Sequence, residues 1–262
     1  MGAISVDRVR IALLQTSRPG VDVLDDAARR AAAGGAALLV APELALTGYA
    51  LGDGVDRAAE PADGPSARRL AAVAAEHGIA LAYGYPERDG AAVHNSAALL
   101  GPDGTRLAGY RKTHLYGPYE RKHFVPGDRL VVQAELHGLR LGMLVCYDVE
   151  FPEAVRAHAL AGTDLLLVPT ALMSPYETVA RTLVPARAVE SQLYVAYANR
   201  VGPEGPLDFT GLSCLAAPDG TVPARAGTGE ELLFADVDPA LLRASREDSP
   251  YLADRRPDLY GA

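Results

Sequence analysis

Short apolar runs alternate along this chain with stretches rich in alanine and arginine, whose apolar positions recur at helical spacing. "VRIALLQT" from Val9 predicts a strand, and "VLDDAARRAAAGG" a helix stopped by its glycines. "AALLVAPE" predicts a buried strand, "PSARRLAAVAAEHG" a helix and "IALAYGYPE" a further strand, and the turn "GPDGT" joins two more as a hairpin. After a polar, proline-containing segment, Tyr110 to Asp128, the theme restarts. "LRLGMLVCYD", "TDLLLVPT" and "LYVAYANR" predict strands, "PEAVRAHALAG" and "ETVARTLVPARAVESQ" helices, and "TGLSCLAAPDGT" repeats the hairpin turn. "RVGPEGPLDFTG" reads as a loop. The end of the chain, roughly 245–262 with "SPYLADRRPDLYGA", is too irregular for a helix and reads as an arm that packs on a partner.

The two halves can be laid over one another. "RIALLQT" (Arg10 to Thr16) matches "RLGMLVC" (Arg140 to Cys146), "ALLVAPELALTGY" matches "DLLLVPTALMSPY", and "SAALLGPDGT" matches "SCLAAPDGT", in the same order. This predicts an α/β chain built from two pseudo-repeated sheet-plus-helix layers whose bare sheet faces bury each other, within a single domain spanning 1–262. Thr16 and Cys146 then occupy one equivalent strand end, Glu43 and Thr170 another. A structural repeat does not require that difference, so the asymmetry points to function.

With 262 residues, 49% of them hydrophobic, the chain can bury a full core. Thirty-three acidic residues against 25 basic ones give −8, which argues against a nucleic-acid or anionic-membrane surface. No apolar run approaches the roughly 20 residues of a membrane span. "MGAISVDRVRIALLQT" has no signal-peptide core, and Val6 breaks the myristoylation pattern. Two cysteines form no disulfide framework, so the expected compartment is the cytoplasm.

Three reactive groups follow predicted strands: Glu43 after "ALLVAP", Lys112 after "RLAGYR" and Cys146 after "LGMLV". Reacting groups in α/β layers gather beyond the carboxyl ends of strands. Cys146 could equally be a small core residue, as Cys214 is expected to be. At the mouth of a helix, however, its thiolate would be favoured. The chain uses arginine for nearly every cation and has only two lysines, Lys112 and Lys122, both within "YRKTHLYGPYERKHF". An exposed charged loop accounts for Lys122, whereas a compact ammonium is something arginine cannot supply. Together the three make chemical sense: a cysteine attacks a carbonyl-like carbon, a carboxylate moves its proton, and an ammonium holds the oxyanion. The Tyr147 N–H is a natural second oxyanion donor. Thr170, Tyr49, Tyr116 and Met173 are substrate-binding candidates, with Tyr176 beside them; filling space between layers is the alternative. His114 and His123 lack the spaced partners of a zinc site and read as loop or capping residues.

"APELALTGY", "YRKTHLYGPYERKHFVPG" and "GMLVCYDVEFPEAVR" resemble the three signature blocks of the carbon–nitrogen hydrolase (nitrilase) superfamily, and "LLLVPTA" and "RAVESQLYVAYANRVG" follow in the right order. The resemblance implies a four-layer αββα sandwich, a Glu43–Lys112–Cys146 triad, no metal and no cofactor. It also places a second glutamate on Glu120, holding the lysine and positioning substrate. Tyr147-Asp148 after the cysteine, and the short chain, look like the amidase branches rather than true nitrilases. The implied reaction is hydrolysis of a small aliphatic or amino-acid-type amide to its carboxylic acid and ammonia through a thioester. An N-carbamoyl-amine hydrolase, a nitrilase or acyl transfer to an amine are the alternatives. Members pair through helices beside the active-site layer, which implies a homodimer or higher homo-oligomer here.

Overall fold

Alternation along a single strand shows how the pattern becomes layers. In the computed structural model, which describes residues 8–260, strand β1 (Val9–Gln15) turns Ile11 and Leu13 toward an opposing sheet. Its Ala12 and Leu14 turn the other way, onto helices α1 (Val21–Ala33) and α3 (Pro65–His77). The residues that bear on the amino-terminal reading (1–7) and the last two of the C-terminal arm lie outside the described residues. A short α2 (Val55–Ala58) lies between those helices in the chain. Helix α3 starts on Pro65 and ends on left-handed Gly78, as its sequence signals require.

The first sheet runs β14 (Glu231–Val237), β1, β2 (Leu38–Val40), β3 (Ala80–Asp89), β4 (Ala92–Leu100), β5 (Arg106–Arg111). The second runs β6 (Gln133–Leu136), β7 (Leu139–Met143), β8 (Leu165–Thr170), β9 (Tyr194–Asn199), β12 (Cys214–Ala216), β13 (Ala224–Arg225). Both follow one plan: three central parallel strands, an antiparallel strand on one edge and an antiparallel pair on the other. Leu38, Val40, Ala80 and Ala82 face Leu165, Leu167, Tyr194 and Ala196 in the core between the sheets. Helices α5 (Pro152–Leu160) and α6 (Val184–Ser191) cover the second sheet, completing the four-layer αββα sandwich. No helix is long and apolar enough to cross a membrane among the described residues.

Three segments depart from the sequence reading. The expected loop at 200–211 contains a hairpin, β10 (Val201–Glu204) and β11 (Leu207–Thr210). Its two prolines hide the pattern, and it is held by tertiary contacts: Phe209 packs with Leu44, Tyr49 and Phe124. The expected helix at 177–192 opens with a wide turn, Val179–Leu183, before α6, since Pro185 has no N–H to give the preceding turn. At the C-terminus, α7 (Pro239–Asp248) absorbs the start of the predicted arm. Asp238 caps this helix by accepting from the Ala240 and Leu241 N–H groups.

Candidate active site

The three candidate groups lie past the carboxyl ends of β2, β5 and β7, as expected, and the folding of the layers brings them together. Glu43 is held on a loop that crosses β3 at Gly84; a Cβ there would stand 2.7 Å from Glu43 Cα. The Glu43 N–H donates to the Thr170 carbonyl (3.3 Å), which joins the two layers at this point. Lys112 N–H donates to Asn95 O (2.8 Å) on β4. Helix α4 (Gly117–His123) places Glu120 in its first turn.

Glu43, Lys112 and Glu120 are all fully buried or nearly so. Lys112 Nζ donates to Glu43 Oε1 (2.7 Å) and to Glu120 Oε1 (2.7 Å). Asn95 Nδ2 donates to Glu43 Oε1 (2.6 Å), so that oxygen is doubly anchored, while Glu43 Oε2 is buried without a hydrogen-bond partner. Glu120 is anchored in turn by the Tyr49 hydroxyl (2.7 Å) and by the Tyr116 N–H to Oε2 (2.7 Å). Glu120 is therefore a buried residue on a helix, not an exposed loop charge.

Burial alone would pull the Lys112 ammonium toward neutrality. Glu120 and Glu43 overcome this and hold it well above the ordinary lysine range. Burial raises the Glu43 carboxyl, against the pull of Lys112. The half-buried Cys146 thiol is pushed well above its usual value by burial and then by Glu43, with Lys112 pulling the other way. The thiolate expected from sequence at this strand-to-helix junction is not favoured: α5 begins at Pro152 as predicted, but a 3-10 turn, Cys146–Glu150, separates its N-terminus from the cysteine. The thiol is thus protonated at rest and needs a base. The Cys146 backbone sits at φ 47°, a conformation costly for a residue with a Cβ and one that recurs at active sites.

Beside Cys146 lies a cavity of about 320 Å³, and Tyr49, Tyr116, Tyr147 and Met173 line it. Thr170 does not. It is fully buried, its hydroxyl donates to the Val168 carbonyl (3.0 Å), and the wall is made by the next two residues, Ala171 and Leu172. Lys122 pairs with Asp53 at the surface, and Cys214 is in the core with its thiol raised by burial to about 11. His114 stacks on Phe151, and His123 lies 3.9 Å from Asp53. No three His, Cys, Asp or Glu side chains converge as metal ligands among the described residues.

Sequence reasoning missed the supports. Asp148, fully buried, accepts from Tyr110 OH, Thr113 Oγ1, the His114 N–H and the Val145 N–H, pinning the cysteine turn to the segment after Lys112. Asn95 was signalled only by a polar residue inside an apolar strand. Glu204 accepts from the Tyr49 and Ala50 N–H groups and pairs with buried Arg200 (2.7 Å). It sits in the hairpin read as a loop.

An αββα sandwich with a buried glutamate–lysine pair beside a cysteine at a strand end defines a class of hydrolases that act on carbon–nitrogen bonds. The carbon-nitrogen hydrolase family model matches residues 10–247, and the chain belongs to that family. It is 46% identical to a Pseudomonas protegens protein described as a hydrolase in the pqqF 5′ region, over 97% of this chain and 92% of that one. It is 40% identical to an (R)-stereoselective amidase of a Pseudomonas species, over 87% and 83% of the two chains. An amidase of the nitrilase superfamily from Nesterenkonia sp. AN1 superposes with a TM-score of 0.89 at 39% identity, covering 99% of this chain and 98% of that one. That structure is of a mutant of the amidase with one glutamate changed to glutamine, and shows covalent addition of the acetamide moiety of fluoroacetamide at the active site cysteine.

Proposed function

We propose that the protein is a cysteine amidase that hydrolyses a small aliphatic or amino-acid-type amide to its carboxylic acid and ammonia. The observation that carries this reading is the division of labour within Glu43: one oxygen is tied to Lys112 and Asn95, the other is buried and free to take a proton. Glu43 removes the Cys146 proton as sulfur bonds to the amide carbon. The carbonyl electron pair moves to oxygen, where Lys112 and the Tyr147 N–H receive it. Glu43 then gives the proton to the departing nitrogen, the carbon–nitrogen bond breaks, ammonia leaves and a thioester remains. Water attacks the thioester with Glu43 again as base, releasing the acid and restoring the thiol.

Cys146→Ala should abolish ammonia release while leaving the circular-dichroism spectrum and urea midpoint near those of the wild type. Acid quench during turnover, followed by intact-mass measurement, should show the substrate's acyl group on Cys146. Retained turnover in the variant would refute the mechanism. A catalytic free thiol suits a reducing compartment, which supports a cytoplasmic setting. Pairing as a homodimer is proposed through the α5 face and the C-terminal arm, where Leu160, Leu259 and Tyr260 stay exposed. Light scattering at micromolar concentration should return twice the chain mass.

A further inference from the structure

One charged group lines the cysteine cavity and has no part in the reaction above. Glu150 ends the 3-10 turn that Cys146 begins, and its half-buried side chain faces the same cavity. The cations that could neutralise it are committed elsewhere. Lys112 lies between Glu43 and Glu120. Arg187 spends its guanidinium on the Val149 carbonyl (3.1 Å), the Glu150 carbonyl (2.6 Å) and Glu190 (3.0 Å), gripping the backbone of the turn from behind. No arginine or lysine among the described residues lines the cavity. Among the described residues the Glu150 carboxyl has no side-chain hydrogen bond, and burial raises its pKa against the more distant pull of Lys112 and Arg187.

Around it stand aromatic rings. Tyr116 meets Tyr147 edge-on at 5.2 Å and Tyr176 at 6.3 Å, and all three line the cavity. A carboxylate among aromatic rings suits a cation, which gains a charge-assisted hydrogen bond and ring contacts together. A substrate carboxylate would meet only like charge there, with no cation on the wall to receive it.

Building on the amidase reading, we infer that Glu150 is a specificity-determining residue that makes this pocket select amides whose acyl part carries an ammonium group and reject those carrying a carboxylate. The carbonyl sits at Cys146, and the ammonium reaches Glu150 beneath the tyrosines.

The test uses shape-matched amides at pH 7: 3-aminopropanamide against butyramide, 4-aminobutanamide against pentanamide, and succinamate as the anion. Ammonia release should give a kcat/KM for at least one cationic amide about 10-fold or more above that for its neutral match, with succinamate lowest. In Glu150→Gln the cation-to-neutral ratio should fall toward one, and Glu150→Asp should keep part of it. Calorimetry on Cys146→Ala, with and without Glu150→Gln, should show the same ratios in Kd without any turnover. A wild-type ratio at or below one for both pairs, or a preference that survives Glu150→Gln, would overturn the inference. Should no amide be hydrolysed, the amidase reading fails, and the Kd ratios still decide the role of Glu150. Should Glu150→Gln not fold, the wild-type ratios and Glu150→Asp decide it.

Discussion

At the scale of single residues, the site is an exercise in keeping one lysine charged where burial opposes it. In the proposed cycle Glu43 gains and loses a proton, so Lys112 needs a second carboxylate that stays put. Glu120 is placed for that, 2.7 Å from the ammonium and anchored by Tyr49 and the Tyr116 N–H. Glu120→Gln should therefore fold normally and lower kcat by about 100-fold, the scale of losing one electrostatic support in an active site. Cys146 should still be alkylated by a small reagent, because Glu43 remains to take its proton; steady-state ammonia release and mass-detected labelling read the two effects separately. Lys122 offers the contrast. It pairs with Asp53 in solvent, and Lys122→Ala should change stability by no more than about 0.5 kcal/mol in urea melts.

At the scale of elements, strand ends deliver the reacting groups and buried polar residues fix their orientation. Asp148, fully buried, binds the cysteine turn to the segment after β5 through the Tyr110 and Thr113 hydroxyls and the His114 and Val145 N–H groups, with the His114 ring 2.8 Å away. Asp148→Ala would strand those donors. Each buried, unpaired group costs about 1–3 kcal/mol, so a loss of about 3 kcal/mol or more is expected in the urea midpoint, with the slope unchanged. Activity should fall as well, since the turn carries both Cys146 and the Tyr147 N–H. The β10–β11 hairpin works similarly from the other side, with Glu204 holding the Tyr49 backbone that in turn supports Glu120.

At the scale of the whole molecule, one buried histidine ties stability to pH. His158 on α5 is fully buried, and burial lowers its pKa from 6.5 to about 4. Between those values the unfolded chain binds a proton that the folded chain does not. Stability is therefore fully present above pH 6.5 and falls as the pH drops through this window, by about 2 kcal/mol at pH 5 and about 3 at pH 4. The wild type should lose urea midpoint from pH 7 to pH 5 more steeply than His158→Gln, which has no such group to protonate. Equal slopes would show that His158 contributes nothing to the acid limb.

The sequence by itself determined the layers and the candidate trio. Period-two and helical apolar patterns are local, the two halves repeat them in order, and a Glu, a Lys and a Cys following three strands must end up at one edge of such layers. Tertiary structure alone decided how those groups behave. Asn95, Glu204 and the turn that holds Asp148 and Glu150 come from three different stretches of chain, and a carboxylate's role depends on whether a cation, a backbone N–H or a cavity faces it. The state of the Cys146 thiol was decided there too. Helix α5 begins at Pro152 as the sequence marks it, but a 3-10 turn separates it from Cys146, and burial beside Glu43 outweighs the pull of Lys112. Charge and burial are properties of neighbours in space, and neighbours in space are what a linear pattern does not carry.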